Sequence, residues 1–241
     1  MGRKKFFLVV DTETTQTGKV ADFGAVIVDK QGVIHHEAGV LIGDFFSDRT
    51  NHPLFHVYGD ANDVFSKASL PKRYSRYEDM LQQGTRVLAS VAAVNRWLVK
   101  ARLKYNPTVT AYNWAFDREK LANSGIDMSI FDNSFCLWHA AVAKWGKTKA
   151  FREFVLANHL LGKRTAKGNL TMKTNAEAMA AFILGLNPDE NVEPHTALED
   201  ARDFEAPILA RLVSTTSPQE YLKPPAYNWR HWQLRDHATA R

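Results

Sequence analysis

Residues 5–15 read KFFLVVDTETT, and the fold turns on this stretch. Residues 6–10 form a continuous apolar run, as in a central strand covered on both faces. The run ends on Asp11-Thr12-Glu13. Side chains two apart on a strand point to one side, so Asp11 and Glu13 present two carboxylates together where the strand runs out. Carboxylates that close repel each other, and a divalent cation relieves the repulsion. Taken alone, Asp-x-Glu is explained more simply as a polar turn.

Outward from this strand, residues 20–28 and 32–42 read as two more strands. They are joined by the turn signal Asp29-Lys30-Gln31-Gly32, which makes an antiparallel meander. Residues 43–85, rich in aromatic and charged side chains, read as loops with one or two short helices. Apolar residues at helical spacing predict a helix over 86–104. A strand over 108–112, a helix over 115–123 and a short strand near 134–137 follow. Residues 150–161 and 175–184 read as helices, separated by a basic loop, 162–168.

A last helix begins near Thr196, where Thr196 and Glu199 fit a capping box, and Pro207 should kink or split it near Glu205. Meander first, then alternating strands and helices, give a single α/β domain with a mixed sheet. The domain spans 1–213, with 43–85 as an extended, insertion-like segment and 214–241 as a C-terminal tail carrying Tyr227, Trp229 and Trp232.

With 241 residues, 45% of them hydrophobic and 24% charged, the chain can bury a sizeable core. The single cysteine, Cys136, forbids an internal disulfide and suits a reducing, intracellular (cytoplasmic) setting. The 6–10 run is too short for a signal-peptide core. No stretch approaches the roughly 20 apolar residues that span a bilayer. A net charge of +5 favours polyanionic partners.

Two more spots carry acids. Asn113-Trp114-Ala115-Phe116-Asp117 follows a strand and opens a helix. Asn113 as a helix cap and Asp117 as a complement to the helix dipole account for it in isolation. His195-Thr196-Ala197-Leu198-Glu199-Asp200 opens the last helix, with Asp200 at the margin of the stripe formed by Ala197, Ala201 and Phe204. A lone histidine there is more often a plain loop residue.

Together, Asp11-x-Glu13, Asn113-x-x-Phe116-Asp117 and His195-x-x-x-x-Asp200 resemble the three exonuclease motifs of the DEDDh family of 3′→5′ exonucleases, which includes proofreading subunits, RNase T and oligoribonuclease. The resemblance covers roughly residues 5–213. The chain departs from the family's pattern at Gln16-Thr17-Gly18, at Asp22 before Phe23-Gly24, and in the length of 43–85.

The resemblance implies an RNase H-like five-stranded mixed sheet flanked by helices. It implies hydrolysis of phosphodiester bonds at single-stranded 3′ ends of DNA or RNA, releasing nucleoside 5′-monophosphates. Asp11, Glu13, Asp117 and Asp200 would hold two Mg²⁺ or Mn²⁺ ions, with His195 as general base. Thr14, Thr15, Asn113 and Phe116 would border the terminal nucleotide. A homodimer and a polymerase partner both stay open, as do a proofreading role and a catalytically silent binding module. The basic residues Lys144, Lys147, Lys149, Arg152, Lys163, Arg164, Lys167 and Lys173, with Lys72, Arg73 and Arg76, either guide a phosphate backbone or form a solvated surface.

Overall fold

The computed structural model describes residues 4–58 and 63–225, and the backbone of 233–234. Strands β1 (Phe6–Thr14), β2 (Val20–Asp29) and β3 (Ile34–Ile42) form the expected antiparallel meander. Its second turn, between β2 and β3, is fixed by Asp29, whose carboxylate accepts from the Gln31 and Val33 N–H groups.

Next come helix α1 (Gly43–Phe46), helix α2 (Leu70–Gln83), strand β4 (Val87–Ala89), helix α3 (Val91–Tyr105) and strand β5 (Thr108–Ala111). Helix α4 (Trp114–Asn123), strand β6 (Ser134–Cys136), helix α5 (Leu137–Ala141) and helix α6 (Lys149–Ala157) follow. A hairpin of β7 (Leu161–Arg164) and β8 (Leu170–Met172) leads to helices α7 (Ala176–Leu184), α8 (Ala197–Glu199), α9 (Ala206–Thr215) and α10 (Pro218–Leu222), and to β9 (Gln233–Leu234).

The main sheet runs β4-β3-β2-β1-β5-β6, antiparallel within the meander and parallel elsewhere. It is a mixed α/β sheet in an RNase H-like arrangement, with six strands where five were expected. The extra edge strand β4 comes from the predicted 86–104 helix. Ser90 caps α3 by accepting from the Ala93 N–H, so the helix starts at Val91 and the residues before it are free to pair with β3. Three further differences are local. The 43–85 segment holds a 14-residue helix, α2. Part of the basic loop 162–168 belongs to the β7–β8 hairpin. α10 packs Tyr221 against Phe7 and Phe135, so the stretch read as tail from 214 continues the packed core. Tyr227, Trp229 and Trp232 lie outside the described residues.

Strand alternation sorts the core into two layers. Leu8, Val10, Phe23, Ala25 and Ile27 pack with Val94, Leu98 and Leu121 of α3 and α4. Phe7, Val9, Val26 and Val28 face the other way, against α6, α7 and α9. Asp11 and Glu13 continue the Phe7–Val9 side, so the backbone that builds the core also aims both acids at the last helices.

Those helices come unusually close to the sheet. Gly24 faces the start of α8 so tightly that a Cβ there would lie 2.1 Å from the Ala197 carbonyl carbon. Its cross-strand partner, Gly39, leaves room for the Arg86 side chain. Among the described residues, no helix is long and apolar enough to cross a membrane.

Candidate metal centre at the end of β1

Motif by motif, the structure brings the acids together. One ligand atom each of Glu13, His195 and Asp200 lies within 4.8 Å of the others. Asp117 is 2% exposed, and one of its oxygens accepts from the Thr12 hydroxyl at 2.9 Å, which ties α4 to the residue between Asp11 and Glu13. Asp11 and Asp117 fall outside that 4.8 Å group, and the charges of Glu205, Asp117, Asp200 and Glu13 all act on Asp11.

Asp200 is oriented by the start of its own helix. The predicted Thr196–Glu199 capping box does not form, because Glu199 is drawn to Arg86. Instead the Thr196 N–H donates to Asp200 Oδ2 at 3.0 Å, and the Ala197 N–H donates to Asp22 Oδ2. Asp200 Oδ1 is left buried without a hydrogen-bond partner.

Desolvation dominates the electrostatics. It pushes Asp11 well above the usual carboxylate range, with help from Glu205 and Asp117. Glu13 rises to about 8 through burial, partly offset by Arg73. Burial lifts Asp117 to about 7, and burial with Glu193 and Glu13 lifts Asp200 to about 9. These shifts mark a site that favours protons over bare negative charge, as an oxygen-rich cation site does without its ion.

His195 is half-buried at φ +54, a left-handed conformation rare outside glycine. Its ring lies 4.8 Å from that of Phe65, and burial lowers its pKa, opposed by the charge of Glu177 and aided by Arg73 and Arg76.

Beside the acids is a cleft of about 410 Å³, lined by Thr14, Thr15, Phe55, Phe65, Phe116 and Lys120 among others. Phe116 is 43% exposed into it. Thr14 and Thr15 are buried, and the Thr15 hydroxyl is engaged within its own turn by the Lys19 N–H. Asn113 is exposed, at φ +84, and makes no side-chain cap.

Sequence reasoning missed the place of five residues here. Arg73, grouped above with surface cations, is 7% exposed. It donates to the Phe55 carbonyl, stacks on Phe65 and lies 3.9 Å from Glu13 Oε2. Phe65 and Phe55 come from the same 43–85 segment. Glu205, 3% exposed, and Glu193, raised to about 7 by burial and Glu177, complete the acidic surroundings. The cations between the second and third motifs lie elsewhere on the chain. Lys149, for instance, pairs with Glu153 on the surface.

No family model matches the chain, and no curated protein does. Among solved structures it is similar to exonuclease I in complex with the inhibitor BCBP, at 15% identity and a TM-score of 0.47. That likeness covers 90% of this chain and 43% of the other, so the chain spans less than half the length of that protein. A likeness of this degree leaves the chemistry to the side chains themselves.

Proposed function

We propose that this protein is a metal-dependent 3′→5′ exonuclease that hydrolyses phosphodiester bonds at single-stranded ends of DNA or RNA and releases nucleoside 5′-monophosphates. The observation that carries this reading is the convergence of Glu13, Asp200 and His195 at the end of β1, with Asp11 and Asp117 beside them.

The donor set fits a hard divalent cation. Its acidic members are all carboxylates, and Asp200 Oδ1 is buried with no partner inside the protein. Asp11, Glu13, Asp117 and Asp200 would hold Mg²⁺ or Mn²⁺, two ions in the reading by resemblance. Bound there, the ions would supply charge that activates water as a nucleophile and offsets the negative leaving oxygen.

The chain's own groups do the rest. Neutral His195, steadied by Phe65, accepts the proton of the attacking water. Arg73 brings positive charge to the Glu13 side of the site. The adjoining cleft is large enough for one nucleoside, and Phe116, Phe55 and Phe65 offer faces on which any base can stack.

The test is digestion of 3′-labelled single-stranded DNA, RNA and dinucleotides with Mg²⁺ or Mn²⁺, alongside circular single strands. Release of labelled mononucleotide that chelator abolishes is the expected result. Cutting of the circles would defeat the exonuclease reading. Binding without turnover at saturating Mn²⁺ would make the protein a silent nucleic-acid-binding module.

A further inference from the structure

Glu205 has no part in the chemistry above, yet its surroundings are hard to explain as packing. The residue is 3% exposed and set against the end of β1. One interaction is plain, since the Tyr112 N–H at the end of β5 donates to its carboxylate. Its Oε2 is enclosed without a hydrogen-bond partner. No ion pair within 4.0 Å joins it to a basic side chain among the described residues, whereas Arg86 nearby holds Asp22 and Glu199. Of the neighbouring charges, that of Glu205 acts most strongly on Asp11. A carboxyl buried in such a place must either hold a proton, as the upward shift that burial gives Glu205 allows, or meet a positive partner such as a cation.

Backbone geometry puts it there. In a regular α-helix, five steps of about 100° would turn position 205 roughly 140° from position 200. Residues 200–205 instead form a π-helical segment, whose hydrogen bonds join i to i+5, so Asp200 and Glu205 come back toward one side. Pro207 follows in the first turn of α9, where its missing N–H is tolerated.

We infer that Glu205 is a fifth carboxylate of the cation site, with one oxygen held by the Tyr112 N–H and the other offered to the cation beside Asp11. The inference rests on the cation-binding reading above and goes beyond it, since none of the three motifs includes this residue.

Calorimetric titration of Mn²⁺ into the full chain tests it, with thermal melts of the same samples. Glu205→Gln should lose about tenfold or more in Mn²⁺ affinity. Its melting temperature without cation should equal or exceed that of the unsubstituted protein, because a carboxyl that must take up a proton to be buried is gone. Glu205→Asp, which keeps the charge on a shorter arm, should bind Mn²⁺ better than Glu205→Gln. If both variants bind like the unsubstituted protein while Asp11→Asn has lost affinity, Glu205 is only a packing residue and the inference fails. If the unsubstituted protein binds no Mn²⁺, the cation site itself is refuted, and the fifth ligand with it.

Discussion

Two buried acidic clusters lie side by side in this fold, and they are resolved in opposite ways. Asp22 and Glu199 enclose Arg86, whose side chain is 0% exposed and makes contacts of 2.9 Å and 2.5 Å to the two acids. Among the described residues, the basic side chain within 4.0 Å of Asp11, Glu13, Asp117, Asp200 or Glu205 is the more distant Arg73. The first cluster is complete within the chain and acts as architecture, since Asp22 also caps the helix that carries Asp200. The second is left in deficit. Where a fold encloses one arginine between two acids and sets a single, more distant arginine against five, the remaining acids must hold protons or meet a cation.

Breaking each cluster should therefore give opposite signatures. The largest expected effect is on turnover: Asp11→Asn should reduce nuclease activity to background while leaving the cation-free melting temperature unchanged or higher. His195→Ala should lower turnover by roughly 10²–10⁴-fold with Mn²⁺ affinity nearly intact, measured by single-turnover kinetics and titration. In the other cluster, Arg86→Met strands the buried Asp22 carboxylate and leaves half-buried Glu199 unpaired, and should cost about 3–5 kcal/mol of stability, read from denaturant unfolding.

A pH series sharpens the contrast. Asp117, Glu13 and Asp200, raised to about 7, 8 and 9, bind protons more tightly folded than unfolded. Their contribution is fully present below the unfolded carboxylate range and is lost as pH climbs through these values. The cation-free melting temperature should thus fall between about pH 5 and pH 9, and saturating Mg²⁺ should flatten the decline. A flat profile without cation would mean that these acids are not buried together. The smallest effect is expected for Phe116→Ala, which should raise KM about tenfold by removing a stacking face, with turnover little changed.

Much of this was legible in the chain. The run into Asp11 announced a central strand, and period-two alternation put Asp11 and Glu13 on one face before any coordinates. What escaped did so for physical reasons. Glu205 stands five residues from Asp200, and any reading in α-helical register turns it away; only the π-helical segment brings it back. Arg73 looked like Lys72 and Arg76 because burial of a long cation depends on what the tertiary fold brings over it, here Phe65 and Glu13. Arg86 was lost inside a predicted helix because its partner, Asp22, is 64 residues away. Asp22 is one of the positions where the chain departs from the family's pattern, and in the fold it holds both Arg86 and the Ala197 N–H.

The hydrogen at Gly24 has reach beyond its strand. Any side chain there must push against the Ala197 backbone, and that backbone carries His195 two positions before it and Asp200 three positions after. The spacing between the His195 imidazole and the Asp200 carboxylate is thus gauged by an atom that is missing on the strand beneath. A methyl group added at position 24 would act as a wedge, spreading a cluster that it never touches.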